Sequence, residues 1–363
     1  MGSTIPIGHG RFKQEVATPL VPGEIVSYHD YRLLRALSVS TVEELLGLVA
    51  VDPEAVAAFL PDADLLQIQA DAGRSVGAEA LAALDTVEAT DYAMGATPPD
   101  DVEVEDRASP DYVQSWLPEE AASQEERQTG DEQGVNLLEC FQDVRHQGTR
   151  GTCVAHAVCA VLECQRSRLH GVREDLSEQF LYWLAKQNDG RSDQEGTWIR
   201  LAAPLAEREG VCLEEVWAYD PQVIAGNESH DPPPPGAAED AAARTLRAPR
   251  EIGGRDVAAM IDSLDDHRPV AFSVPVYDSW YLNRTTRLNG LIAMPLPNSA
   301  LRGGHAMCLV GYGLAPDFAG GGYFIVRNSW GTHWARRSPA GPGHGALPFL
   351  YVEKYGWEAW TAD

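Results

Sequence analysis

Apolar residues recur at helical spacing in the first part of the chain, between about residues 25 and 95. Ser40 and Glu43 match a capping box ahead of one apolar run, and Pro53 stands at the first position of a second predicted helix. Short amphipathic segments in quick succession predict a small all-helical module over residues 1–96. The module is acidic, so we expect it to contact a protein partner or the rest of the chain rather than DNA.

Further along the chain the pattern changes from helical to strand periodicity. Two helices and three strands are predicted, at residues 154–168, 176–186, 270–276, 306–312 and 323–327. Helices that are followed by antiparallel strands predict an α+β domain with a helical half and a β half. We place this domain at residues 135–363.

The stretch between these two regions, residues 97–134, is rich in proline and acidic side chains. Five of the seven residues from Asp100 to Asp106 are Asp or Glu. Low hydrophobicity with like charge favours a solvated linker. The alternative is a segment that lies across an active-site cleft or is cut during activation.

Composition narrows the possible partners and surroundings of the chain. The formal net charge of −26 repels phosphate backbones, so nucleic acid is excluded as a direct partner. The amino terminus lacks a basic start followed by an apolar run, and no stretch reaches the ~18 apolar residues of a membrane helix. We therefore expect a cytoplasmic protein without membrane contact. The six cysteines lack CxxC spacing, so we expect reduced thiols and neither a metal nor a cofactor.

Cys153 is the candidate nucleophile. Gly148 and Gly151 allow a tight turn before it, and a predicted helix follows. A helix N-terminus stabilises a thiolate, so this position is expected to lower the pKa of Cys153. Gln147 lies six residues upstream, where its side-chain amide, together with the backbone N–H of Cys153, would hold an oxyanion.

His305 and Asn328 are the candidate base and the candidate residue that orients it. His305 follows Gly304 in a predicted strand, and Asn328 ends the next strand. An amide oxygen at Asn328 would accept the ring N–H of His305 and select the productive tautomer. Trp330 would shield that hydrogen bond from water.

These segments resemble those of the papain-like cysteine peptidases. Residues 147–153, 304–313 and 328–331 match the family's three catalytic blocks, in the family's order. The resemblance covers about residues 135–355 and implies a two-lobed papain-like fold, here preceded by the helical module, as in a cytoplasmic, bacterial-type member. It also implies catalytic roles for Cys153, His305, Asn328 and Gln147. Gly196 and Gly304 correspond to positions that contact substrate.

Three positions near the nucleophile depart from the family pattern. Arg150 stands where secreted members have a disulfide cysteine, and Val154 stands where Trp is usual. His156 replaces a common Phe. We interpret His156 as a packed histidine rather than a second base.

The resemblance implies hydrolysis of peptide bonds in a protein or peptide substrate through an acylenzyme. Two alternatives stay open: acyl transfer to an amine by the same triad, and a binding module that has kept the fold but lost activity. The four intact catalytic residues favour hydrolysis. We also expect the amino-terminal region to modulate access to the cleft.

Overall fold

The computed structural model describes residues 12–13, 17–87, 91–109 and 134–363. Within residues 17–87 the chain folds into five helices: α1 (Tyr28–Ala36), α2 (Val42–Val51), α3 (Pro53–Phe59), α4 (Leu65–Ser75) and α5 (Ala78–Asp85). Pro53 is the first residue of α3, as the sequence predicts.

The capping box of α2 lies one residue later than predicted. Thr41, not Ser40, is the N-cap residue, and Glu44 completes the box by accepting from the Thr41 backbone N–H at 3.1 Å. The predicted partner, Glu43, instead accepts hydrogen bonds from the backbone and side chain of Thr18, at 2.8 and 2.9 Å. A tertiary contact therefore decides between two overlapping capping sequences.

The five helices do not stand apart from the remainder of the chain. The Thr285 hydroxyl donates to the Glu43 carbonyl at 2.7 Å, and the backbone N–H of Met294 donates to the Leu37 carbonyl at 3.0 Å. Buried side chains of α1 and α2 belong to the same hydrophobic core as those of the α+β domain. The division of the chain after residue 96 stays a prediction.

Described residues of the α+β domain form seven strands and eight further helices. The strands are β1 (Gly134–Asn136), β2 (Arg250–Gly253), β3 (Val270–Tyr277), β4 (Leu301–Leu314), β5 (Gly322–Arg327), β6 (His344–Pro348) and β7 (Glu358–Thr361). The helices are α6 (Cys153–His170), α7 (Glu178–Asn188), α8 (Ile199–Arg208), α9 (Ala237–Ala241), α10 (Val257–Asp265), α11 (Asp278–Tyr281), α12 (Arg284–Asn289) and α13 (Phe349–Tyr355). A single turn of 3₁₀ helix covers Leu138–Cys140.

The strands form one antiparallel sheet in the order β2-β7-β3-β4-β5-β6, with β1 added against β4. Helices α6, α7 and α8 pack together, and α6 also contacts β3 and β4. The predicted α+β class is confirmed. The active-site region lies where the start of α6 meets β4, because the backbone N–H of Ala306 in β4 reaches the Cys153 sulfur.

Part of the predicted linker can be followed. The backbone of residues 106–108 pairs with the segment leading into β4, through hydrogen bonds of Ala108 with Asn298 and Ser299 and from Leu301 to Asp106. Residues 110–133 of the predicted linker lie outside the described residues. None of the helices that the structure describes is long and apolar enough to cross a membrane.

Candidate active site

Cys153 is the first residue of the 18-residue helix α6. The side chain is fully buried, and its sulfur accepts the backbone N–H of Ala306 at 3.3 Å. Burial raises the pKa of Cys153 to about 12, although backbone N–H groups of Ala306, Val154 and Cys153 itself pull it down. The predicted lowering of this pKa is therefore wrong for the conformation described, because desolvation outweighs the helix N-terminus.

His305 lies in β4, and Asn328 follows the last residue of β5. His305 Nε2 and Asn328 Oδ1 are 2.7 Å apart. An amide oxygen can only accept, so Nε2 carries the hydrogen and Nδ1 keeps its lone pair in the neutral ring. Nδ1 is buried and has no hydrogen-bond partner among the residues described. Burial lowers the pKa of His305 to about 4, with the Asn328 hydrogen bond opposing this shift.

Aromatic rings enclose this histidine–asparagine pair. Trp330 stacks on His305 with ring centroids 4.5 Å apart and an interplanar angle of 22°. Trp280 packs edge-on against His305 with centroids 6.5 Å apart, and it lies tilted against Trp330 with centroids 6.3 Å apart. Both tryptophans are buried, so the hydrogen bond between His305 and Asn328 is screened from water. The sequence analysis identified Trp330 but not Trp280, because Trp280 lies in a separate short helix, α11.

Gln147 is fully buried and held at both ends of its side-chain amide. Its oxygen accepts the Ser329 hydroxyl at 2.6 Å, and its nitrogen donates one hydrogen to the Arg150 carbonyl at 2.8 Å. That nitrogen carries a second hydrogen besides the one donated to Arg150. The backbone N–H of Gln147 donates to the Ser329 carbonyl at 2.8 Å, which ties Gln147 to the segment containing Asn328.

Arg150 occupies the position of the family's disulfide cysteine and forms a hydrogen-bonding hub. Its guanidinium donates to the Gln179 side chain at 2.6 Å and to the carbonyls of Asp220 and Glu228 at 2.6 and 2.8 Å. The side chain is 1% exposed. A buried arginine therefore ties the turn before Cys153 to α7 and to the loop after α8.

Residues 91–98, which we call the cleft segment, lie over the nucleophile. Ala96 contributes a backbone N–H to Cys153. The N–H groups of Gly95 and Ala96 both donate to the Gly304 carbonyl at 3.0 Å. Thr197 pairs with the cleft segment on the opposite side, since its N–H donates to the Gly95 carbonyl and its carbonyl accepts from Thr97, both at 2.9 Å.

Aromatic side chains hold both ends of the cleft segment, through one ring stack and two hydrogen bonds. Tyr92 stacks on Trp330 with centroids 4.6 Å apart, on the tryptophan that also covers His305. Trp330 Nε1 donates to the Ala93 carbonyl at 2.9 Å, and Trp198 Nε1 donates to the Pro98 carbonyl at 3.1 Å. The segment is thereby fixed on both sides of Cys153.

The two glycines predicted to bind substrate both contact the cleft segment. A Cβ at Gly304 would lie 2.1 Å from the Ala96 carbonyl oxygen, and one at Gly196 would lie 2.6 Å from that of Gly95. Gly196, however, turns its own N–H to the Tyr182 hydroxyl at 3.1 Å. The backbone pairing beside it is made by Thr197, which the sequence comparison did not single out.

Comparisons with known proteins show the family and the fold of the chain. The papain family cysteine proteases match residues 135–338, which is more than half of the chain. An uncharacterized peptidase-like protein of Acanthamoeba polyphaga mimivirus is 28% identical over 229 residues, which are 60% of this chain and 68% of the viral protein. Pro-cathepsin H of Bos taurus is 26% identical over 194 residues, and the match covers 53% of each chain.

The fold is also found in a solved structure. Xylellain, a cysteine protease from Xylella fastidiosa, has a TM-score of 0.58 and 23% identity, over 77% of this chain and 99% of xylellain. This similarity confirms the predicted papain-like fold with helices that precede the peptidase domain. The chain therefore belongs to the papain family of cysteine proteases, that is, to the cysteine-type peptidases.

Proposed function

We propose that this protein hydrolyses peptide bonds with Cys153 as nucleophile, His305 as base and Asn328 as the residue that orients the base. The observation that carries the proposal is the 2.7 Å hydrogen bond between His305 Nε2 and Asn328 Oδ1. This hydrogen bond leaves the lone pair of His305 Nδ1 free to take a proton. The next residue, Ala306, donates its backbone N–H to the Cys153 sulfur.

In the proposed reaction, the Cys153 thiol gives its proton to His305 Nδ1, and the sulfur attacks the substrate carbonyl carbon. The carbonyl oxygen becomes an oxyanion, held by the backbone N–H of Cys153 and the second side-chain N–H of Gln147. When the tetrahedral intermediate collapses, the C–N bond breaks and His305 protonates the leaving amine. Water then attacks the thioester, giving a proton to His305, and release of the carboxylic acid regenerates the thiol.

We propose in addition that the conformation described is a closed form of the enzyme. The cleft segment covers Cys153, and burial raises the pKa of that thiol to about 12, so little thiolate forms. In this proposal the first protein partner of the amino-terminal region is the chain's own peptidase domain. Movement of residues 91–98 out of the cleft would rehydrate the sulfur and let the substrate backbone reach Gly304 and Thr197.

Labelling with a peptidyl epoxide followed by peptide mapping tests both proposals. We expect slow labelling at Cys153 in the full chain, none in Cys153→Ala, and faster labelling when the cleft segment is displaced by Gly95→Val. A catalytically silent binding module would show no labelling in any of these forms. Acyl transfer needs a separate assay with a peptide substrate and an added amine. Products that incorporate the amine, in place of free carboxylic acid, would indicate acyl transfer.

A further inference from the structure

A small internal cavity lies between α6, α7, β4 and β5, close to the proposed catalytic residues. The volume open to the centre of a water molecule is about 20 Å³, which is enough for one water. His156, Glu178 and Asn328 all line it. None of the described residues of the cleft segment does, so the cavity is a feature of the peptidase domain itself.

His156 presents a hydrogen-bond acceptor to this cavity. Its Nδ1 lies 3.1 Å from the Thr152 carbonyl oxygen, which can only accept, so Nδ1 carries the hydrogen. Burial lowers the pKa of His156 to about 3, so the ring is neutral and Nε2 has a lone pair. Nε2 is buried without a hydrogen-bond partner in the described parts of the chain. The ring packs edge-on against Tyr219, with centroids 5.0 Å apart.

Three further buried polar atoms of the cavity-lining side chains have no hydrogen-bond partner within the described ranges: Glu178 Oε2, Asn328 Nδ2 and Arg145 Nη2. Of these, Arg145 Nη2 forms an ion pair with Glu214. Glu178 Oε1 lies 3.9 Å from His156 Nε2, too far for a direct hydrogen bond. Asn328 uses its oxygen twice, accepting from His305 Nε2 and from the Ser329 backbone N–H at 2.8 Å. Its amide nitrogen therefore has hydrogens to donate elsewhere.

We propose that this cavity is a binding site for one ordered water, and that His156 is a positioning residue that orients Asn328 through this water. The water accepts from Asn328 Nδ2 and donates its two hydrogens to His156 Nε2 and the Glu178 carboxylate. Three hydrogen bonds are the usual number for a buried water, and here the two acceptors and one donor match its own two donors and free lone pair.

The arrangement rests on the proposed function, because it acts through Asn328 on His305. An amide nitrogen fixed by the water keeps the amide oxygen turned towards His305 Nε2. Many family members have Phe at this position, which offers no acceptor. This chain therefore has a polar support for Asn328 that a phenylalanine side chain cannot provide.

Charged groups surround the site on most of the elements packed against it, whereas β4 contributes the apolar side chains of Ala306 and Met307. The charged groups are Arg145 and Arg150 on the segment before α6, Glu163 on α6, Asp175 before α7, Glu178 on α7, Glu214 after α8, and Arg327 on β5. Arg145 lies 2.6 Å from Glu214 Oε1 and 3.9 Å from Glu178 Oε2. The positive charges oppose protonation of His156, which keeps its Nε2 an acceptor.

A high-resolution crystal structure of the full chain tests the site directly. We expect a water within about 3.2 Å of His156 Nε2, Glu178 and Asn328 Nδ2. Nitrogen-15 NMR of the histidines in the same protein should show His156 neutral, protonated on Nδ1 and hydrogen-bonded at Nε2. A direct Glu178–His156 hydrogen bond with no water between them, or a ring protonated on Nε2, would overturn the proposal.

Kinetics in the Gly95→Val full chain test the positioning role. Phenylalanine at position 156 (His156→Phe) should lower kcat about tenfold with little change in KM and shift the pH profile of kcat, because the support of Asn328 is lost. Glutamine (His156→Gln) places an acceptor oxygen near the position of Nε2 and should retain more of kcat. Val158→Ala removes packing from the same helix outside the cavity and should lower the unfolding temperature without changing kcat.

Equal kcat in His156→Phe and Val158→Ala would sink the positioning role. If no form hydrolyses peptide, the proposed function fails, while the crystal and NMR measurements still decide whether the water site exists.

Discussion

Ionisable groups are buried on two sides of α6, towards the cleft and in the internal cavity, and different parts of the chain cover them. Towards the cleft, Cys153 is covered by residues 91–98, and burial raises its pKa to about 12. In the internal cavity, burial raises the pKa of Glu163 to about 8 and that of Glu178 to about 7, and both lie within the packed peptidase domain.

We infer that burial by a separable segment would regulate a reactive group, whereas burial inside the packed domain affects the stability of the fold. The cleft segment is held by backbone hydrogen bonds and aromatic contacts, and in the proposed closed form we expect it to leave without unfolding of the domain. The cavity is formed by α6, α7, β4 and β5, which belong to the packed core of the domain. Changes to the cleft segment should therefore alter activity, and changes around the cavity should alter stability and catalysis in the open enzyme.

The largest effect is expected from Gly95→Val. A Cβ at residue 95 would lie 2.0 Å from the Gly151 carbonyl oxygen, so the cleft segment cannot keep its position. A clash with backbone costs up to roughly 3 kcal/mol, and peptide hydrolysis should rise about 100-fold. The measurement is the initial rate on a fluorogenic peptide.

Gly77→Val is the matched control for that variant, because a Cβ at residue 77 would meet nothing within 4 Å. Its rate should equal that of the wild-type chain. Equal rates for Gly95→Val and Gly77→Val would show that the cleft segment does not limit activity.

Arg150→Ala tests how the turn before Cys153 is tied to α7 and to the loop after α8. The change leaves the Gln179 side chain and the carbonyls of Asp220 and Glu228 without their donor, so the free energy of unfolding should fall by roughly 2–3 kcal/mol. Urea unfolding measures the loss. The exposed Arg208→Ala should change the same quantity by less than about 0.5 kcal/mol. A similar loss in both variants would mean that the hydrogen bonds of Arg150 do not stabilise the fold.

Glu163→Gln tests the burial of charge beside the cavity. The folded-state pKa of about 8 lies above the ordinary 4.5, so the protonated carboxyl stabilises the fold fully below pH 4.5, and this contribution is lost as the pH rises towards 8. Between about pH 6 and about pH 7.5 the wild-type chain should lose roughly 2 kcal/mol relative to Glu163→Gln, at ~1.4 kcal/mol per pH unit.

Glu174→Gln should show the opposite sign in the same unfolding experiment. Burial alone would raise the pKa of Glu174, but hydrogen bonds from Arg166 and Arg244 lower it overall. Its stabilising contribution is therefore present above pH 4.5 and lost as the pH falls. Parallel pH profiles for the two variants would mean that burial does not dominate at Glu163.

The smallest effect is expected from Tyr92→Ala. Loss of the ring stack on Trp330 removes about 1 kcal/mol from the closed form, so hydrolysis should rise roughly fivefold. The backbone hydrogen bonds of Gly95 and Ala96 remain in this variant. An increase as large as that of Gly95→Val would mean that the aromatic contact, and not the backbone, holds the cleft segment.

The amino-acid sequence alone was enough to predict the α+β class, the papain-like fold and the segments that carry Cys153, His305 and Asn328. These predictions succeed because each depends on a short contiguous pattern, such as a glycine turn before a helix or a strand that ends in Asn-Ser-Trp-Gly. The predicted division after residue 96 falls within the cleft segment, since small residues such as Ala93, Gly95 and Ala96 show no periodicity that would mark their position.

Only the tertiary structure decided what surrounds these residues. The choice between Ser40 and Thr41 as the N-cap of α2 depended on Thr18, which is distant in the sequence. Thr18 donates two hydrogen bonds to the Glu43 carboxylate, so Glu43 does not complete a capping box with Ser40. The direction of the Cys153 pKa shift depended on the chain that covers the sulfur, since desolvation is a property of all neighbours together. Local sequence specifies which groups can react, whereas long-range packing determines which of them water can reach.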